Sequence, residues 1–139
     1  MSRFYDASSF LRHLDKIERS LTRELEQTTG DIVDDVARIS TNIAPISLGT
    51  LRRSVDKKVE STASLVFGEI GYSATNSTAG YGNFDYATWT HEFMSDGDVT
   101  NPGSYEGYNV GSHYLSRPVQ GESDKYLDWW AKAVKRAVR

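Results

Sequence analysis

The stretch APISLGTLRRSV, residues 44–55, decides how the chain is expected to fold. Pro45 cannot continue an α-helix and disfavours helical geometry at Ala44, so a helix arriving from the N-terminal side has to end there. Gly49 can adopt backbone angles that are closed to other residues, and beyond it the apolar spacing changes from that of a helix to that of a strand. The stretch is therefore expected to be a helix-to-strand junction.

On the N-terminal side of this junction, apolar residues follow the three-and-four spacing of one face of an amphipathic helix. They are Phe10, Leu14, Ile17, Leu21, Leu25, Ile32, Val36, Ile39 and Ile43. Asp6, Ser8 or Ser9 can cap the start of this helix. Because Gly30 is a point where a helix can break, residues 9–44 form either one helix or two. The apolar face is expected to lie across a sheet, with a coiled-coil seam as the alternative.

On the C-terminal side, four segments have the composition of β-strands. Residues 51–59 place apolar and polar side chains on opposite sides, and residues 65–72 follow after a short polar turn, so these two strands are expected to form a hairpin. Residues 84–94 are expected to form a third strand. Residues 113–119 are expected to form a last strand at the sheet edge, ended by Pro118.

Two segments rich in glycine and polar residues are expected to be flexible loops. The first is residues 73–83. The second, residues 95–112, is long for a connection in a compact domain and is the more promising functional loop. It carries Tyr105 and Tyr108, which either face a partner or fold back on their own domain.

The chain ends in a second amphipathic helix, which Ser123 is expected to cap. Its apolar face is assigned to Leu127, Trp130, Val134 and Ala137. A chain of 139 residues without an internal repeat predicts a single domain, residues 1–139. The predicted fold is α+β, with a long N-terminal helix and a C-terminal helix packed on one face of a mainly antiparallel sheet of three to four strands.

Composition and charge limit the function classes. The net charge is −3, but residues 61–120 carry one basic side chain against six acidic ones. This division favours contacts between neighbouring copies and disfavours nucleic acid as a partner. There is no cysteine, so disulfides and thiolate metal sites are excluded. No apolar run is long enough to cross a membrane and no export signal is recognisable, so synthesis in the cytoplasm is expected.

The candidate catalytic and metal-binding residues do not match a known constellation. His91-Glu92 resembles the opening of a zinc-protease helix, but Ser95 stands where the second histidine is required, and the segment is predicted to be a strand. Residues 96–98 open like a calcium-binding loop, but the third ligand, the turn glycine and the final glutamate are missing. No catalytic, cofactor-binding or metal-binding residue is therefore predicted, and the chain is not expected to be an enzyme.

The helix-to-strand junction is the first of three motifs that resemble those of a known family, the neck and tail-completion proteins of tailed bacteriophages. In that family a proline, a glycine, Leu-Arg and a serine mark this turn. Their counterparts here are Pro45, Gly49, Leu51, Arg52 and Ser54. Ser47 and Leu48 depart from the commoner Asp-Thr.

The other two motifs follow in the order that the family has them. One is a Tyr-Ala pair followed by Glu-Phe, and the other is an aromatic-Leu-x-Arg-Pro segment. Their residues here include Tyr86, Ala87, Glu92, Arg117 and Pro118. Met94 and Val119 stand where the family usually has glycine and alanine. The resemblance covers about residues 9–138.

The resemblance implies a structural subunit of a neck or tail-completion ring of six or twelve copies, located in the virion between head and tail. The implied partners are further copies of the chain, the head connector or head-completion protein, and the tail terminator or tail tube protein. No cofactor, reaction, specific nucleic acid or membrane is implied. The two predicted loops would become ordered when the neighbouring ring arrives.

Candidate interface residues follow from this hypothesis. They are Arg52, Arg53, Asp96, Asp98, Tyr105 and Tyr108. The two arginines are expected to be exposed at the start of a strand, where they can pair with the acidic middle of an adjacent subunit.

Two other hypotheses remain open. One is a regulatory or toxin-like module that binds a host protein through the aromatic loop, and it predicts a monomer that captures a bacterial protein. The other is a small hydrolase in which His91 or His113 meets a carboxylate in a pocket, and it predicts turnover of a substrate. The ring hypothesis instead predicts association with phage structural proteins.

Overall fold

A computed structural model describes residues 7–45, 50–62, 65–73, 75–78, 82–94, 99 and 101–139. In chain order its elements are α1 (Ala7–Ile43), α2 (Thr50–Arg53), β1 (Asp56–Ser61), β2 (Val66–Gly71), β3 (Thr75–Thr78), β4 (Gly82–Asp85), α3 (Tyr86–Glu92), β5 (Ser104–Tyr105), β6 (Tyr108–Asn109), α4 (Ser116–Gly121) and α5 (Ser123–Ala137). The strands pair as three antiparallel hairpins, β1 with β2, β3 with β4 and β5 with β6. The predicted α+β class is confirmed, but the described strands form separate two-stranded sheets rather than one sheet of three or four.

The N-terminal helix is a single element of 37 residues, about 55 Å long at 1.5 Å per residue. Gly30 does not interrupt it, which answers whether the segment forms one helix or two. The helix ends at Ile43, so the stop predicted from Pro45 is confirmed. Ser8 and Ser9 lie inside its first turn rather than before it, and Asp6 and Gly49 lie outside the described residues.

The middle of α1 packs against both the β1–β2 hairpin and α5. A Cβ atom at Gly68 of β2 would lie 2.5 Å from Val33 Cγ2, so glycine permits this close approach of strand and helix. On α5, Trp130 Nε1 donates a hydrogen bond of 3.0 Å to Thr29 Oγ1. Here the hydrophobic core consists of Ile32, Val36 and Tyr126, with Ile70, Leu115, Trp129 and Trp130 packed against them.

A second part of the core lies at the C-terminal end of α1. Its buried members are Ile39, Ile43, Ala44, Leu51, Ala87 and Tyr114. The rings of Tyr72 and Tyr114 meet edge to face with their centroids 5.0 Å apart. Leu51 is fully buried there, as expected, but it lies on helix α2. The strand predicted from residue 51 is therefore wrong at its start, since β1 begins at Asp56 and is exposed throughout.

The strand predicted for residues 84–94 is also wrong, because β4 ends at Asp85 and helix α3 follows. Ala87, Thr90 and Met94 are buried. Ala87 and Thr90, three residues apart, lie on one face of α3, and Met94 lies just beyond the end of that helix. The period-two alternation of aromatic and β-branched residues in this segment favoured a strand. Packing against the rest of the fold stabilises a helix there instead.

The last predicted strand, residues 113–119, is instead a turn followed by helix α4. Pro118 is the third residue of α4, where the missing N–H has no intrahelical partner to lose. The two predicted loops contain strand structure: the first holds β3 and the start of β4, and the second holds the β5–β6 hairpin. Within these two loops, residues 74, 79–81, 95–98 and 100 lie outside the described part of the chain.

The C-terminal helix is present as predicted, and the predicted face is confirmed at Trp130, which packs against the core, and at Ala137, but not at Leu127 and Val134. Tyr126, Ala133 and Ala137 are buried. Leu127 and Val134, which were assigned to the core, are 59% and 41% exposed. Ser123 does not cap the helix, because its hydroxyl donates to the Gln120 carbonyl at 3.0 Å. No helix among the described residues is both long and apolar enough to cross a membrane.

Candidate assembly surface

Residues from the three motif segments meet at the C-terminal end of α1. Leu51, Ala87 and Tyr114 each come from a different segment and share one hydrophobic cluster. The Tyr114 hydroxyl donates a hydrogen bond of 3.0 Å to the Ala87 carbonyl. Pro45, which also belongs to the first motif, is buried. These motif residues therefore pack together and stabilise the fold at the junction.

Arg52 has a structural role at the same junction. Its Nε donates to the Ala44 carbonyl at 2.8 Å and its Nη2 to the Asn42 carbonyl at 3.0 Å. These carbonyls end α1 and have no partner within the helix, so the guanidinium satisfies them. Arg52 was expected at an exposed strand start, but it is half-buried on a short helix. Arg53, beside it, is exposed.

The remaining motif residues also make contacts within the chain. The Ser54 hydroxyl donates to the Leu51 carbonyl at 2.7 Å and accepts a hydrogen bond from the Ser73 N–H at 3.2 Å. Arg117 donates to the carbonyls of Ser112 and Asn109 at 3.0 and 2.7 Å. Pro118 is buried. Glu92 is exposed and pairs with His91, whereas for Tyr86 only the backbone, at the start of α3, is described.

The two tyrosines of the predicted aromatic loop pack on their own domain. Both are half-buried against the cluster at the end of α1. The Tyr105 hydroxyl accepts a hydrogen bond of 2.8 Å from Arg38 Nη1. The Tyr108 hydroxyl lies so close to Gly121 that a Cβ atom there would collide with it. Of the two alternatives left open for these residues, folding back is the one observed. Asp96 and Asp98 lie outside the described residues.

A network of charged side chains fixes the β5–β6 hairpin and α5 to α1. Asp35 receives hydrogen bonds of 2.8 Å from Arg38 and from the Tyr126 hydroxyl, and pairs with Lys125 at 2.8 Å. Arg38 also pairs with Glu106 at 2.6 Å. Burial opposes ionisation of Asp35, but the hydrogen bonds from Lys125, Arg38 and Tyr126 outweigh it and lower the pKa of Asp35 to about 2.

Sequence patterns did not reveal this network. The spacing of Asp35 and Arg38 on one helix is visible in the sequence, and such a pair is common on a solvated helix face. Their partners Glu106, Lys125 and Tyr126 are distant along the chain, so only the tertiary fold brings them together.

The N-terminal part of α1 presents apolar side chains to solvent. The buried residues of this helix begin at Thr28. Before them, Phe10 is 58% exposed, Leu11 60% and Leu14 44%. Exposed apolar side chains that adjoin one another are typical of a surface that binds a partner. We call this surface, formed by Phe10, Leu11 and Leu14, the α1 patch.

A second apolar surface lies on α5 and the residue that follows it. Leu127, Val134 and Val138 are exposed, and their spacing of seven and four residues places them on one side of the helix. We call these three residues the α5 patch. The two patches belong to different elements, so contact between the α1 patch of one molecule and the α5 patch of another would be heterologous.

Comparison with known proteins gives no relative from which a function could be inferred. No family model, curated protein or solved structure matches the chain.

Proposed function

We propose that the chain is a structural subunit of a neck or tail-completion ring that joins head to tail in a tailed bacteriophage. The observation that carries the proposal is the α1 patch, an apolar surface on a helix that continues beyond the packed core. A structural subunit needs such a surface because its function is to bury it against a neighbour. The resemblance of the three motif segments adds support, since parts of all three meet at one junction of the fold.

The neighbour that fits the α1 patch is a second copy of this chain. Within one molecule, α1 already packs against α5, and Arg136 of α5 pairs with Glu24 of α1 at 3.0 Å. The α5 patch of a second molecule, placed over the α1 patch, would continue the same kind of helix packing. Because this contact joins two different surfaces, it repeats from copy to copy and generates a ring when the rotation closes.

Contacts with the other ring proteins complete the proposal. The partners are the head connector or head-completion protein on one side and the tail terminator or tail tube protein on the other. Arg53 is exposed and remains a candidate for pairing with the acidic middle of an adjacent copy. The host-protein-binding alternative receives less support, because the tyrosines on which it depends are half-buried on their own domain.

The first test is removal of the gene from a phage that encodes this chain. Electron microscopy of the lysate is expected to show DNA-filled heads and separate tails, and a plasmid copy of the wild-type gene should restore joined virions. Joined, infectious particles in the absence of the gene would overturn the proposal.

The second test asks whether the α1 patch makes the contact. Leu14→Asp places a charge within the patch, and Arg19→Asp places the same side chain on the opposite, exposed face of α1. We expect the first variant to fold but to fail in restoring joined virions, whereas the second restores them. Equal restoration by both variants would exclude the α1 patch as the contact surface.

A further inference from the structure

Two histidines and a glutamate meet beside the end of α3. His91, Glu92 and His113 each offer a possible metal-ligand atom, and these atoms lie within 4.8 Å of one another. The rings of the two histidines have their centroids 5.1 Å apart at 78°. His91 is half-buried against the ring of Tyr114, while Glu92 and His113 are exposed and can adjust.

The backbone holds His113 in place over α3. The His113 N–H donates to the His91 carbonyl at 2.8 Å, and the His113 carbonyl accepts from the Arg117 N–H at 3.0 Å. The φ angle of His113 is +52°, in the left-handed region that few residues other than glycine adopt. This conformation is unfavourable for a side-chain-bearing residue, so the surrounding contacts impose the position of this histidine.

We propose that His91, Glu92 and His113 bind a divalent transition-metal ion, with Zn²⁺ as the ion that the donor set fits. Two imidazole nitrogens and a carboxylate oxygen are a common set of three protein ligands for zinc, and water takes the fourth position. Ligand atoms of a tetrahedral zinc site lie about 3.4 Å apart, given bonds of about 2.0 to 2.1 Å. His91 Nδ1 and Glu92 Oε1 are already 2.8 Å apart, so the main movement required is that of the exposed His113 side chain.

Zinc binding would change which nitrogen of the His91 ring carries the proton. The Ser116 N–H donates to His91 Nε2 at 3.4 Å, so Nδ1 carries the ring proton and donates it to Glu92. A metal ion bound at Nδ1 requires the ring proton to move to Nε2, where it faces the Ser116 N–H, so the already long contact with Ser116 has to open. The ring proton therefore changes nitrogen when the metal binds, and the Ser116 N–H loses its acceptor.

The sequence pattern missed this cluster for two reasons. It required the second histidine four residues after His91, where Ser95 stands, and it assigned the segment to a strand. The structure instead shows a helix and brings the second histidine from the turn before α4. The bound ion would link α3 to that turn, and hence the second motif segment to the third. This site is independent of the proposed role in a phage neck.

Isothermal titration of the full chain with Zn²⁺, after removal of any histidine tag, tests the site. We expect saturable binding of one ion per chain and an increase in the thermal unfolding temperature. His113→Asn is the main variant because asparagine tolerates a positive φ angle, and Glu92→Gln is the second. Both should weaken binding by about tenfold or more.

The chain supplies its own control. Of its three histidines, the one outside the cluster is His13, which is exposed on α1 and far from the other two in the sequence. His13→Gln should leave the affinity unchanged. Absence of saturable Zn²⁺ binding by the wild type would overturn the proposal, as would variants of Glu92 and His113 that stay folded and bind Zn²⁺ as tightly as the His13 variant does.

Discussion

The two halves of α1 share one apolar spacing but differ in their surroundings. From Thr28 to Ile43 the apolar face is buried against the β1–β2 hairpin, α5 and the cluster around Leu51. In the first turns the same spacing continues, yet Phe10 and Leu14 are largely exposed. Apolar periodicity therefore identifies which face of a helix will be buried, but it does not say whether the partner belongs to the same molecule.

Truncation of a core residue should give the largest effect. Leu51→Ala removes a fully buried side chain next to the C-terminal half of α1, and we expect a loss of about 2 to 5 kcal/mol in the free energy of unfolding. The matched control is Leu11→Ala in the α1 patch, for which we expect a change within about 0.5 kcal/mol. Urea denaturation measures both. Similar losses for the two variants would mean that the halves of α1 do not differ as described.

The Asp35 network should give the next largest effect. Asp35→Asn weakens the hydrogen bonds and ion pairs from Arg38, Lys125 and Tyr126, and we expect a loss of about 1 to 3 kcal/mol at pH 7. The pKa of Asp35 is lowered from its ordinary value, so its contribution is complete above about pH 4 and is lost as the pH falls toward 2. Urea denaturation at pH 7 and pH 3 should show a smaller difference between wild type and variant at the lower pH.

Gly30 lies near the start of the buried half of α1, and its replacement should stabilise the helix. Apart from the adjoining residues and nearby backbone of α1 itself, no described atom lies within 4 Å of the position that a Cβ would occupy there. Gly30→Ala should therefore raise the free energy of unfolding by about 0.5 to 1 kcal/mol, because alanine favours the helix and has less freedom in the unfolded chain. The contrasting variant is Gly68→Ala, whose added methyl group meets Val33 at 2.5 Å and should destabilise. Thermal unfolding monitored by circular dichroism should show a higher unfolding temperature for Gly30→Ala and a lower one for Gly68→Ala.

Charge introduced into the α1 patch should have the smallest effect on the isolated chain. Leu14→Asp should change the free energy of unfolding by no more than about 0.5 kcal/mol, because Leu14 is 44% exposed and precedes the buried part of the helix. Denaturation at a protein concentration low enough to keep the chain monomeric provides the measurement. A large loss would show that the N-terminal half packs within its own molecule.

The features that local chemistry determines were predicted well. The stripe from Phe10 to Ile43 predicted a helix, and Pro45 predicted its end. The two strands after the junction were predicted to pair, and β1 and β2 do so in antiparallel register. Leu51 was predicted to be buried and is fully buried. The helix, its end and the hairpin are each determined by residues that lie close together in the sequence.

The features that depend on distant contacts were predicted poorly. Segment 86–92 has the composition of a strand, but it forms a helix that buries Ala87 and Thr90. The apolar face of α5 was assigned by hydrophobicity, whereas packing buries Tyr126 and small alanines and leaves Leu127 exposed. The same limitation applies to the cluster of His91, Glu92 and His113, whose members are brought together by a turn that the sequence pattern did not reveal.

The pairing of β1 with a single neighbour has a consequence for solubility. In the described part of the chain the β1–β2 sheet has two strands, so each strand has an outer edge at which another chain could add by hydrogen bonding. Four of the six side chains of β1 are charged, namely Asp56, Lys57, Lys58 and Glu60. Such charges disfavour edge-to-edge aggregation, and they would allow copies to crowd together without forming intermolecular β-structure.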